Sequence, residues 1–254
     1  TELPPWRVDG IIVLQECSPR TIEQMEKMHL PYVVINGVSG PSGSVVIPDD
    51  IESTRQAIQY LLDLGHRRIA YAGPTPEHRK HMSIPDRHST YLDELRKHGL
   101  DPVRGHDRIF RNPQEFLATV VGREKATAIV AYDHVVAIKI LHDAPLCNIQ
   151  IPDQVSLMCF NDEYMCDIVK PALTTIGAPS RQMGKLAAQI LLKQIELPAC
   201  ERKGQTIKLK QHLIVRSSTT RPNLNGNKER LSFSCGRRLG GYDEDVLTDA
   251  KSLT

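Results

Sequence analysis

The chain lacks a charge surplus: 32 basic residues against 30 acidic ones leave +2 over 254 residues, so bulk electrostatics give it no reason to bind nucleic acid. Any contact with DNA would need a dedicated module. Six cysteines, Cys17, Cys147, Cys159, Cys166, Cys200 and Cys235, stand singly with no Cys-x-x-Cys pair, which argues against a zinc knuckle or redox dithiol and reads as reduced cytosolic thiols. No apolar run is long enough to cross a membrane, and the opening Thr1-Glu2-Leu3-Pro4-Pro5-Trp6-Arg7 has no basic-then-apolar signal pattern. A soluble, cytoplasmic chain with no membrane partner is expected. Nucleophile-elbow, phosphate-cradling and dinucleotide-binding glycine motifs are all missing. His78, His81 and His88 share a polar segment, but no further ligand follows at helical spacing, so neither metal nor cofactor is expected and nothing positive supports an enzyme.

What is present is alternation. Val8 to Leu14 and Tyr32 to Ile35 are continuous apolar runs, the pattern of parallel strands covered on both faces, with Thr21 to His29 able to supply a crossover helix. Gly37 to Gly43 is a Gly/Ser/Pro loop. Asp49 can cap a helix whose Ile51, Ile58, Leu61 and Leu62 share a face and whose end is marked by Gly65. Ile69 to Ala72 reads as a strand, Phe110 as part of a short strand, Pro113 to Val121 as a helix, and Ala128 to Ala131 as a buried strand. Ser180 to Glu196 is the clearest helix, with Met183, Leu186, Ala187, Ile190, Leu191 and Ile195 in one stripe that suits core packing.

The stretch from Asp133 to Met183 carries the most information. A helix opens at Asp133-His134, Ser156 to Phe160 is a buried strand ending in Asn161-Asp162, and Leu173-Thr174-Thr175-Ile176 follows as a further strand. In an open α/β sheet, ligands bind outside the carboxyl ends of the strands, which is where Asn161 and Asp162 fall. This segment, together with Val8 to Leu14, Leu30 to Asn36, Leu61 to Pro74 and Leu213 to Thr219, resembles the effector-binding core of the LacI/GalR family of bacterial transcription regulators. The likeness runs from about Val8 to Thr220. Each motif is weak singly; five in the family's order make a strong match.

The resemblance implies an α/β fold of two doubly wound parallel-sheet lobes, like the periplasmic sugar-binding proteins, with ligand closed between them. The N-terminal lobe would take residues 1–48 plus 177–200, the C-terminal lobe 49–176 plus 201–221, and 222–254 would be a loosely ordered tail. Family members precede the segment matching Val8 with a helix-turn-helix and a strand-helix-strand-helix run. Neither is found in this chain, so the first lobe is expected to be incomplete, with an unpaired edge at Val8 to Leu14.

The resemblance also implies contact positions, at Asn36, Arg87, Tyr132, Asn161 and Asp162. Three depart from the family pattern: Asn36 and Asn161 stand where carboxylates close the strands, and Tyr132 where an asparagine precedes the helix-opening acid Asp133. Each position also has a purely structural reading. Arg87 can pair with Asp86 or Asp93, Tyr132 can be a core aromatic, Asn161-Asp162 can cap a strand end, and Asp133 more plausibly caps its helix than touches ligand. With two carboxylates replaced by amides, Arg87 is expected to lack a carboxylate competitor, and an anionic ligand to be preferred. The function implied is ligand sensing for a regulator: a sugar, sugar phosphate or related metabolite as effector, operator DNA engaged only through a module outside this chain, and a homodimer in the intact protein. A solute-binding protein of a sugar transport system and an inert truncated domain are the alternatives.

Overall fold

Parallel strands need both faces covered, and the computed structural model, which describes residues 8–76, 81–105, 110–161 and 163–223, meets that need with two separate sheets. In chain order the elements are β1 (Ile11–Leu14), α1 (Pro19–Lys27), β2 (Tyr32–Ile35), β3 (Ser44–Pro48), α2 (Asp50–Asp63), β4 (Ile69–Ala72), α3 (Ser83–Lys97), α4 (Pro113–Leu117), β5 (Ala128–Ala131), α5 (His134–Asp143), β6 (Ser156–Phe160), α6 (Glu163–Ile168), β7 (Thr174–Gly177), α7 (Ser180–Glu196), β8 (Thr206–Leu209) and β9 (His212–Ile214). The first sheet has the order β1-β2-β3-β8 and is parallel throughout. The second has the order β4-β5-β6-β7-β9, with only β9 antiparallel. This is the α/β architecture expected from the apolar runs.

Side-chain alternation divides each core in two. On β2, Tyr32 and Val34 pack with Met25 of α1 on one face, while Val33 packs with Met183, Ala187 and Ile190 of α7 on the other. The second sheet buries Ile58 and Leu61 of α2 and Tyr91 and Leu95 of α3 against Tyr71, Val130, Met158 and Phe160. Its opposite face takes Leu117, Val136, Ala137 and Ile140 against Ala70, Ile129, Leu157 and Cys159. The helices start where their capping residues stand: the Asp49 carboxylate accepts from the Glu52 N–H at 3.1 Å, and that of Asp133 from the Val136 N–H at 2.8 Å. The expected Pro113 to Val121 helix is α only to Leu117 and then widens into a π-helical turn over Ala118–Arg123. Phe110 lies in no strand; it is buried, and its N–H donates to the Pro74 carbonyl at 3.0 Å.

One lobe boundary needs correction. The whole of 201–221 is expected in the C-terminal lobe, yet β8 pairs with β3 in the first sheet, in register from Val45↔Thr206 to Pro48↔Leu209, and only β9 joins the second. The physical reason is the edge of β3, whose five residues are all buried and whose backbone groups need a partner on that side. Gly204 lets the chain pass close by: a Cβ there would lie 2.5 Å from the Gly43 carbonyl oxygen. Of the expected tail, Pro222 and Asn223 are described and 224–254 lie outside the described residues.

Among the described residues the chain therefore passes between sheets three times: from β3 into α2, from β7 into α7, and from β8 through Lys210 and Gln211 into β9.

Among the described residues β1 is an open edge. The N–H groups of Ile11 and Gln15 donate to Pro31 and Ile35 carbonyls, so by alternation the backbone groups of Ile12 and Leu14 point away from β2. Their side chains are also exposed, at 38% and 70%. An uncharged apolar edge of this kind is a template for another strand. The chain as it stands is expected to self-associate, and Leu14→Lys to shift it towards monomer in sedimentation velocity. A wild-type chain that sediments as a single monomeric species would contradict this.

Candidate functional site

The second sheet ends, on its carboxyl side, in Tyr132 after β5 and Asn161 after β6, and the first sheet ends in Asn36 after β2. Asn36 has φ 59° and Asn161 φ 81°, both left-handed. Asparagine tolerates that conformation better than most side chains, which is a local reason for amides here. Each also closes its strand through the backbone, the Asn36 N–H donating to Val46 at 2.9 Å and that of Asn161 to Ile176 at 2.9 Å.

The two sides meet through His81, in the segment leading into α3. Its Nε2 lies 3.0 Å from the Asn36 carbonyl oxygen, and its Nδ1 lies 2.7 Å from the Ser83 hydroxyl and 3.2 Å from the Ser83 nitrogen. Because the backbone N–H of Ser83 can only donate, Nδ1 is the acceptor and the neutral ring carries its proton on Nε2, aimed at Asn36. The Ser83 hydroxyl, 2.8 Å from the Tyr132 hydroxyl, continues the chain inward. Burial raises the Tyr132 phenol above its ordinary pKa, against the Ser83 hydrogen bond and the Arg87 charge, so it stays protonated at neutral pH. A cavity of about 220 Å³ opens beside this bridge, lined by Glu16, Cys17, Gly37, Val38, His81 and Met82. A larger one of about 540 Å³ lies around Leu141, Asn148 and Lys170, away from these strand ends and from every polar group that converges on them.

Arg87, on α3, is buried behind the bridge. Nε donates to Asp50 Oδ1 at 2.8 Å, one terminal nitrogen reaches the same oxygen at 2.7 Å and Asn161 Oδ1 at 3.1 Å, and the other donates to the Tyr132 carbonyl at 2.6 Å. The guanidinium also sits 4.3 Å from the centre of the Phe160 ring and 5.1 Å from that of Tyr132. Gln211, on the third crossing between the sheets, adds a donor to Asp50 Oδ1 at 3.3 Å. One alternative reading and one expectation are overturned. Arg87 pairs with Asp50 rather than Asp86 or Asp93, and it does have a carboxylate competitor, so the argument for an anionic ligand falls.

Arg87, Tyr132 and Asn161 are thus brought together, and Asn36 is joined to them through His81 and Ser83. Asp162 lies outside the described residues. Asp133 serves as the α5 cap. Of the three histidines weighed as metal ligands, His81 forms the bridge, His88 packs against Tyr71 and Tyr91, and His78 lies outside the described residues. Sequence reasoning missed Asp50, Ser83 and Gln211. Only Asp50 left a trace: with Asp49 spent on the helix cap, a second acid directly after it was unaccounted for.

Residues 58–219 match the model of the periplasmic binding protein-like domain family. Among curated relatives, the HTH-type transcriptional regulator reg1 of Streptomyces lividans is 28% identical over 74% of this chain and 58% of its own length, and the arabinose metabolism transcriptional repressor of Geobacillus stearothermophilus is 29% identical over 77% and 55%. The chain spans between about half and two thirds of the length of such relatives. Among solved structures, a LacI family transcriptional regulator from Enterococcus faecium with bound ribose superposes with a TM-score of 0.70 at 24% identity, covering 85% of this chain and 81% of that one. A LacI family regulator from Mycobacterium smegmatis gives 0.68 at 26%, covering 86% and 80%. The two open α/β sheets with their three crossings superpose on such regulators over most of the chain, and this chain belongs to the periplasmic binding protein-like domain family.

Proposed function

We propose that the chain is the effector-sensing core of a LacI-type transcription regulator, in which a small metabolite, a sugar or sugar derivative, closes the two lobes on each other. The carrying observation is the His81–Asn36 hydrogen bond, which joins the strand ends of the two sheets at the point where Asn161 and Tyr132 converge. Polar groups gathered at strand ends beside a small cavity suit a ligand of several hydroxyls. Closure would change the geometry presented to a DNA-binding head, a coupling typically of about 1–3 kcal/mol. Operator binding, a homodimeric assembly and a cytoplasmic location belong to the same reading.

Calorimetric titration with ribose, arabinose and cellobiose tests it. At least one should bind, and Asn161→Ala should weaken that ligand up to about tenfold, the worth of one neutral hydrogen bond. Binding of none, or identical binding by the variant, would count against the site. The chain by itself should not distinguish operator from scrambled DNA at physiological salt.

A further inference from the structure

Among the described residues Arg87 is the only cation in the group that converges on the strand ends, and its charge is cancelled before any ligand arrives. Asp50 takes two of its donor contacts at 2.7 and 2.8 Å, with side-chain exposures of 3% for Arg87 and 6% for Asp50. The Tyr132 carbonyl and the Asn161 amide oxygen take the remaining contacts, and Phe160 covers a face of the guanidinium. A ligand at the strand ends therefore meets a neutral pair presented through Tyr132 and Asn161. An anionic group there would lose its hydration beside a buried carboxylate and meet no free cation among the described residues in return. A hydroxyl loses little hydration and pairs with the amide and phenol.

We propose that Asp50 is the specificity-determining residue that makes this cleft select neutral over anionic ligands, a role that rests on the cleft being the ligand site. The selection lives in one oxygen atom. Asp50→Asn keeps an acceptor for Arg87 and Gln211 at the Oδ1 position and removes the negative charge. The site then carries one uncompensated positive charge, which draws an anion to the strand ends.

The test uses two probes. Inorganic phosphate, compared with chloride at matched ionic strength, should leave the unfolding temperature of the wild type unchanged and raise that of Asp50→Asn. In titrations, wild type should bind ribose more tightly than ribose 5-phosphate, and Asp50→Asn should shift that ratio towards the phosphate ester by about ten- to a hundredfold. A wild type that prefers the ester overturns the proposal, whether or not the variant folds, as does a folded variant with no new response to phosphate. If wild type binds no sugar but Asp50→Asn gains the phosphate response, the reading of the effector fails while the charge selector stands.

Discussion

Arg87→Ala is expected to destabilise the chain by about 3–5 kcal/mol, the usual cost of leaving one member of a buried ion pair alone. Removing the guanidinium strands the Asp50 carboxylate at 6% exposure with, among the described residues, Gln211 as its remaining side-chain donor, and leaves the Tyr132 carbonyl and Asn161 amide without their Arg87 contacts. A carboxylate in that position must be rehydrated or protonated, and its 6% exposure beside the buried residues of α2, α3 and β6 makes either costly. Urea unfolding measures it: the midpoint should fall while the slope stays constant. The pair itself is worth far less than the penalty for breaking it, so Arg87→Met combined with Asp50→Asn should lose much less than Arg87→Ala. A loss below about 1 kcal/mol for the alanine variant would mean that solvent already reaches the pair, at odds with its burial.

Phe160→Ala is expected to cost about 3–5 kcal/mol as well, for a different reason. The ring is fully buried in the core shared by α2, α3 and the second sheet, and it also lies 4.3 Å from the Arg87 guanidinium. Deletion leaves a cavity and uncovers a buried cation. Phe160→Leu separates the two terms, since it restores most of the apolar volume but not the aromatic face, whose attraction to a desolvated cation is worth up to about 2 kcal/mol. The two sites share atoms in contact, so the losses from Phe160→Ala and Arg87→Ala should not add. Strict additivity in denaturant unfolding of the single and double variants would show that the ring and the guanidinium act independently.

Both effects centre on residues of unequal legibility. Phe160 closes a run of apolar residues, and a buried strand was readable from that run alone. Arg87 stood out only through the resemblance, and its partner was not legible: Asp86 and Asp93, the nearby acids weighed for it, lie one and six residues away, spacings that put neither on its helix face. Neighbours in sequence compete for a surface arginine, but Arg87 points into the sheet, where helix spacing says nothing about what it meets. Asp50 is 37 residues away and arrives there because α2 and α3 cover the same face of the second sheet.

The sequence by itself determined the alternation of strands and helices, the caps at Asp49 and Asp133, the stripe of α7, and the placing of Asn36, Tyr132 and Asn161 at strand ends, because each is a property of a short stretch of chain. Tertiary structure alone decided which sheet β8 joins, that His81 bridges the strand ends to Asn36, and that Arg87 is neutralised by Asp50. Those outcomes depend on which edges and which buried charges are left without partners once the helices have packed, and no periodicity along the chain records that.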